Sequence, residues 1–445
     1  MDVPSTADTA EPTPDGTSTP ADVAPTRTDP RIVIASAIGS LVEYYDFSAY
    51  GYLATITATV FFSGDDPTSA LLATLATFAA AFVLRPAGGM IFGHFGDRIG
   101  RKKVLAATVI MMAVASFAIG VLPTYAAIGT GATAMLVLAR CAQGIAAGGE
   151  MAGAGSYLVE AAPDHRRGLL TSFALLGSHA GALLASLTVA LLTHTLTTGQ
   201  MHSWGWRVPF LLALPLGLVG IYIRTKLEDT DQFNRIADRG EVAEAPIREV
   251  VQRYPLPLLT AIGLSTATFS GYYISFVYIP IHLQKTIGLS ADNAFWSTVA
   301  TLLVACAVIP LFGLLADTVG RKPVLAAGAI GYLTLSYPLF MLLDAGGVLP
   351  YVAQILLGVM EAALAAVAFT AFAEMFSARV RYSGTALGYN LAGMAVGGTA
   401  PYIALWLIDR TGNPLSPAFF LMATAALTLA AVFSLQETRG CALPA

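Results

Sequence analysis

Apolar segments of about twenty residues recur along nearly the whole chain, each long enough to cross a hydrocarbon core of about 30 Å as a helix. This recurrence leaves few folds open. A backbone in lipid must satisfy its own hydrogen bonds, so only helices or a closed barrel can span, and barrel strands would be about half as long and alternate polar with apolar residues. Composition agrees: 56% of the 445 residues are hydrophobic and 12% are charged, against about 25% charged in soluble domains. Twelve segments are predicted, at 32–58, 70–96, 104–122, 133–158, 169–193, 207–224, 255–284, 294–316, 324–343, 349–374, 383–408 and 416–435. The expected fold class is an all-α membrane protein with twelve transmembrane helices in two six-helix bundles.

The net charge of -4 says little, because in a membrane protein the position of the basic residues matters more. Loops after even-numbered segments hold Arg98, Arg101, Lys102, Lys103, Arg166, Arg167, Arg224, Lys226, Arg235, Arg239, Arg248, Arg253, Arg321, Lys322, Arg379 and Arg381, whereas loops after odd-numbered ones hold Lys285 and Arg410. By the positive-inside rule the even loops and both termini are cytoplasmic, in a plasma membrane. The first thirty residues, rich in Pro, Thr, Ala and Asp, lack the basic start and apolar core of a signal peptide and read as a disordered tail. The expected organisation is a tail at 1–30, one bundle at 31–224, a cytoplasmic loop at 225–254, a second bundle at 255–436 and a tail at 437–445. Cys141, Cys306 and Cys441 are far apart and show no metal-ligand spacing.

GHFGDRIGRKK at 93–103 returns as GLLADTVGRKP at 313–323, so that Asp97 and Asp317 stand about half the chain apart. Each copy follows the second segment of a six-segment set. Two homologous halves with substrate held near the midplane between them are a common transporter plan. Gly93 and Gly100 permit a tight turn and close helix approach, Asp97 suits a helix terminus, and Arg98 and Arg101 hold the loop at the cytoplasmic face. The repeat, with Asp317 and Arg321 in its second copy, is expected to be a conformational latch whose charge pairs differ between inward- and outward-facing states.

The chain thereby resembles the major facilitator superfamily, whose signature loop GxxxDRxGRKx matches at 93–103 with a degenerate copy at 313–323. More narrowly it resembles the metabolite:proton symporter family, through VEYYDF, LRPAGGMIFGHFGDRIGRKKVL and RCAQGIAAGGEMAGAGSYLVEAAPDHRRG. SWGWRVPFLLALPLGLVGIYIRTKLEDT, VRYSGTALGYN and NPLSPAFFLMATAAL are similar to the proline/betaine transporter branch. The resemblance implies the major facilitator fold, a proton-coupled symporter, and Asp46 with Glu150 as the coupling pair. It departs from the branch at His179, where a small or apolar residue is usual, and at Glu361, where a neutral polar one is expected. Osmosensing members carry a C-terminal coiled coil, whereas this sequence ends without heptads, so osmotic regulation of that kind is not expected.

Charges inside a membrane cost about 2.5–3.5 kcal/mol at its centre on insertion scales, so they face partners or wet cavities. Glu43, Asp46 and Tyr50 share one face of the first helix, and Arg140, Gln143 and Glu150 share one of the fourth. Arg85, His179 and Glu361 lie in the second, fifth and tenth. A proton-coupled carrier needs a buried carboxylate that takes up and releases H⁺. Glu43, Asp46 and Glu150 qualify, one acid of the first-helix pair exchanging the proton while the other is held ionised by an arginine; the alternative is that such pairs only fix helix packing. Arg140 is the candidate anchor for a substrate carboxylate, by two parallel hydrogen bonds. Arg85, nearer the cytoplasmic end, is a gate residue or a substrate contact. His179 either titrates and binds substrate or is a satisfied interhelical histidine, and Glu361 favours a cationic or hydroxyl-rich substrate or a second proton site. Tyr44, Tyr45, Phe47, Phe269, Tyr272, Tyr273 and Phe276 would suit a cage around a quaternary ammonium, if they are not simply packing.

The fifth segment approaches the glycine spacing of drug:proton antiporters but has Ala182 in place of their proline, which counts against export. No Walker loop GxxxxGK[ST] is present, so direct ATP use is not expected. The expected function is proton-coupled import of a small polar metabolite, a zwitterion such as proline or betaine or an organic acid, by alternating access. Efflux of a metabolite, or a receptor that kept the fold without turnover, are the alternatives. The expected partners are the substrate, protons and lipid, with no nucleic acid, cofactor or metal, in a monomer that is not an enzyme.

Overall fold

The computed structural model describes residues 30–62, 66–99, 101–148, 155, 158–225 and 246–444. Glu150 and Gly100 lie outside the described residues, as do the side chains of Asp97, Arg98 and Arg101, residues 1–29 and the central loop from 226 to 245.

The predicted spans appear as helices: α1 (Pro30–Tyr52, continued by Ala54–Phe61), α2 (Pro67–Ile99), α3 (Arg101–Val121), α4 (Thr130–Ala147), α5 (Arg167–Thr195) and α6 (Arg207–Thr225) in one half. The other half holds α7 (Pro255–Tyr272), α8 (Ala291–Val319), α9 (Arg321–Leu343), α10 (Leu349–Met375), α11 (Arg381–Ala392) and α12 (Ser416–Ser434). Among the described residues there is no strand. Several spans are interrupted. A π-helical stretch, Tyr273–Tyr278, joins α7 to Ile279–Lys285, and a second, Gly393–Gly397, leads from α11 toward Ala400–Thr411. Such wide turns shift the side-chain register in mid-helix and are frequent at functional sites. Taken singly, 7 described helices are long and apolar enough to cross a bilayer, and α6 qualifies only together with Thr198–Gly205, from which it bends by 44°.

The halves repeat one packing scheme. In the first, α1 packs on α5, α2 on α4 and α3 on α6; in the second, α7 packs on α11, α8 on α10 and α9 on α12. Small residues set these distances, since lipid gives apolar helix faces little reason to associate beyond close packing. A Cβ on Gly177 would lie 2.1 Å from the Ala37 carbonyl oxygen, and one on Gly181 would lie 2.2 Å from that of Leu41. Gly144 and Gly148 bring α4 equally close to Ala81 and Arg85 of α2. Backbone cannot yield as a side-chain tip can. Gly181→Val is therefore expected to push α1 off α5 and destabilise the fold by about 1–3 kcal/mol or more, read as a lower Tm and loss of a monodisperse chromatographic peak.

Between the halves, α5 and α8 touch along their whole length. Gly168 meets Asp317 at one end, Ser186 Oγ donates to the Phe295 carbonyl at 3.4 Å further along, and His194 faces Asp292 at the other end. Across the molecule α2 packs on α11, with Gly398 against Phe82.

Candidate substrate and proton site

The two acids of the first helix are held differently. Glu43 Oε1 lies 2.9 Å from Arg85 Nη2, with both side chains buried. The Arg85 guanidinium also stands 4.4 Å from the ring centre of Phe47 and 4.3 Å from that of Phe82, so aromatic faces supply part of the solvation that water would give. Asp46 makes no such direct pair. Its Oδ2 accepts from Gln143 Nε2 at 2.7 Å, and Gln143 Oε1 accepts from Arg140 Nη1 at 2.7 Å. Gln143 Nε2 also donates to Ser116 Oγ at 2.7 Å. The amide is thereby oriented, its oxygen toward the cation and its nitrogen toward the anion. Asp46 Oδ1, Arg140 Nε and Arg140 Nη2 are buried with no hydrogen-bond partner among the described residues. Tyr50 lies beneath Arg140, its ring centre 4.2 Å from the guanidinium, and its hydroxyl donates to the Thr74 carbonyl at 3.2 Å.

Glu43, Asp46 and Tyr50 of α1 and Arg140 and Gln143 of α4 thus point into the first bundle, while Glu150, the third member of the expected α4 face, lies outside the described residues. Arg85, Arg140, Gln143 and Tyr50 do not line the central cavity; they form a layer behind it. Tyr273 also lies off the cavity, packed on Phe78, Phe82 and Phe269. Of the expected aromatic cage, Tyr44, Phe269 and Tyr272 line the cavity, while Tyr45 donates to the Pro209 carbonyl at 2.9 Å and Phe47 serves Arg85.

The cavity itself lies between the bundles, bounded by Tyr44, His179, Tyr272, Glu361, Phe369 and Tyr389 among others. His179 Nε2 is 2.6 Å from Glu361 Oε2, joining α5 of one bundle to α10 of the other, and both residues are 1% exposed. The two departures from the branch therefore face each other. Tyr44 and Tyr389 hydroxyls meet at 2.6 Å across the same interface. The free space is about 20 Å³, room for roughly one water molecule. A metabolite does not fit this space, and it enters only when the bundles part.

One end of the molecule is locked by charge. Asp317 accepts from the Gly168 and Leu169 backbone N–H groups, each at 2.8 Å, and from Arg321 Nη1 at 2.9 Å. The carboxylate so caps the exposed N–H groups at the start of α5, where the helix dipole favours negative charge. Arg167 Nη1 donates to Glu374 at 2.8 Å and Arg381 Nη1 to Glu160 at 2.9 Å, so each half's arginine is paired with the other half's acid. Sequence reasoning missed this exchange, although a signal was there: Glu160 and Arg167 in EAAPDHRR have the spacing of Glu374 and Arg381 in EMFSARVR. Tyr389 was also missed, because a single tyrosine in an apolar helix carries no pattern. Asp317→Asn removes the ionised acceptor of three hydrogen bonds worth about 1.5–3 kcal/mol each when charged. It is expected to shift the population toward opening at this end by about tenfold or more, read as longer distances between spin labels placed on the two halves there.

A buried charge layer behind a small cavity, at the seam of two pseudo-symmetric six-helix bundles, defines a secondary transporter that works by rocking one bundle against the other. The chain belongs to the sugar (and other) transporter family of the major facilitator superfamily, which it matches over residues 32–253 and 234–444. It is 34% identical to the proline/betaine transporter of Escherichia coli (strain K12) over 418 residues, covering 92% of this chain and 83% of that protein. It is 36% identical to the glycine betaine/proline/ectoine/pipecolic acid transporter OusA of Dickeya dadantii (strain 3937), with the same coverage. Its fold is that of the proton:xylose symporter XylE bound to 6-bromo-6-deoxy-D-glucose, with a TM-score of 0.75 at 19% identity over 93% of this chain and 97% of that one. A partially occluded inward-open XylE from E. coli gives 0.72 at 19% identity, over 93% of this chain and 99% of that one. The chain is a membrane-spanning transporter and not an enzyme.

Proposed function

We propose that this transporter imports a small zwitterion, of the class of proline or betaine, together with a proton. The observation that carries the reading is the unequal treatment of the two acids in α1. Glu43 is paired directly with Arg85 and so held ionised, while Asp46 meets Arg140 only through the Gln143 amide. Asp46 is then the group that exchanges H⁺.

Charge balance supplies the coupling. With both acids ionised, Glu43 offsets Arg85 and Asp46 offsets Arg140. Protonation of Asp46 leaves the Arg140 charge uncompensated in a low-dielectric site, which favours an incoming carboxylate. Proton and zwitterion therefore enter together. Relatives named for proline, betaine, ectoine and pipecolic acid support the substrate class. The basic loops support a cytoplasmic location of the locked end and of both termini, and the halves meet at a central loop with boundaries near 224 and 255. The test is uptake of labelled amino acids, betaines and carboxylic acids into proteoliposomes under an imposed pH gradient. Zwitterion uptake that rises with external acidification is expected; uptake indifferent to the gradient would overturn the reading.

A further inference from the structure

We infer that Glu361, held by His179, is the receptor for the cationic end of the substrate, and that it selects ammonium groups bearing N–H over fully methylated ones. The inference rests on the zwitterion reading above and goes on to specify which zwitterions. Glu361 is the acidic residue on the cavity wall, and none of the cavity-lining residues is a lysine or an arginine. Among the described residues its one basic partner is a histidine, which comes from the opposite bundle.

The geometry settles how the pair holds its proton. His179 Nδ1 lies 2.8 Å from the Leu175 carbonyl oxygen, which can only accept, so Nδ1 carries a hydrogen. Nε2 and Glu361 Oε2 are 2.6 Å apart, a distance at which two bare lone pairs would repel. One proton therefore lies between them. Whichever atom holds it, the pair is neutral overall, which is how a carboxyl group can stand in a small, mostly apolar cavity when no substrate is present.

His179 takes Oε2, and Oε1 has no hydrogen-bond partner among the described residues. An ammonium N–H donates to that oxygen without displacing the shared proton, so occupation of this end adds nothing to the proton count that Asp46 sets. The substrate's carboxylate then turns toward the Tyr44 and Tyr389 hydroxyls, whose mutual bond at 2.6 Å opens to supply donors. A primary or secondary ammonium gains a charge-assisted hydrogen bond here. A quaternary one gains only the field of the carboxylate and the faces of Tyr44 and Tyr272, and its methyl groups hold the charge away from Oε1.

The experiment is direct binding of matched pairs to the full-length protein by titration calorimetry, at one pH and with no gradient. The probes are proline against N,N-dimethylproline, and glycine against glycine betaine. In each pair that binds, the N–H-bearing member is expected to bind at least about tenfold tighter, and Glu361→Gln is expected to bring the two within about twofold. Should Glu361→Gln fail to fold, His179→Ala tests the same receptor, and the wild-type ratio decides by itself. Methylated members binding as tightly as their partners would overturn the assignment of Glu361 and leave the transport reading standing. If no member of either pair binds, the zwitterion reading falls and this inference with it.

Discussion

Asp46→Asn is expected to abolish accumulation driven by a proton gradient while exchange of substrate across the membrane persists. One proton moving down 100 mV releases about 2.3 kcal/mol, which at about 1.4 kcal/mol per decade supports roughly 40-fold accumulation of a neutral solute. Asparagine has the shape of a protonated aspartate and still accepts from Gln143, so the buried Arg140 charge, whose field favours a carboxylate, is permanently uncompensated. Substrate then binds and crosses in either direction without H⁺, and the 40-fold gradient collapses to equality. The measurement pairs net uptake with counterflow in the same vesicles. Retained accumulation would remove Asp46 from the coupling role. Loss of counterflow in a correctly folded variant would make it a substrate residue instead.

The second large effect is expected at Glu43 and Arg85. Removing one partner of a buried ion pair leaves an uncompensated charge, at a cost of about 3–5 kcal/mol, whereas replacing both is often close to neutral. Arg85→Ala should show the larger loss, because the guanidinium also packs between Phe47 and Phe82. Glu43→Gln should lower thermal stability as well, and the double variant Glu43→Gln with Arg85→Gln should recover much of it. Thermal unfolding of the wild type, Glu43→Gln, Arg85→Gln and the double variant in one detergent gives the coupling energy. If the single losses simply add, the pair does not hold the site together, and the distinction drawn between Glu43 and Asp46 loses its basis.

Much of the fold was legible before any coordinates. Segment length and apolarity required spanning helices, and the repeat of the Asp97 loop at Asp317 announced two halves. Intramembrane charge marked Glu43, Asp46, Arg85, Arg140, His179 and Glu361 as residues needing a reason to be there. Glycines of the fourth and fifth segments make the close backbone contacts seen at Gly144, Gly148, Gly177 and Gly181. The aromatic cage was half legible: rings at Tyr44, Phe269 and Tyr272 face the cavity, but sequence could not separate them from Tyr45, Phe47 and Tyr273, which pack elsewhere.

What the amino-acid order determined by itself is therefore the set of helices and which side chains share a face of any one of them, because helical periodicity is local. Which faces meet was decided only in three dimensions. The pairing of Glu43 with Arg85, the Gln143 bridge from Asp46 to Arg140, the bond from His179 to Glu361 and the crossed pairs Arg167–Glu374 and Arg381–Glu160 all join different helices. Partners on separate helices depend on how far each is rotated about its axis and slid along it, which close packing at small residues sets for the bundle as a whole. That is why two acids three residues apart could be named together from sequence, yet be given different work only by the assembled fold.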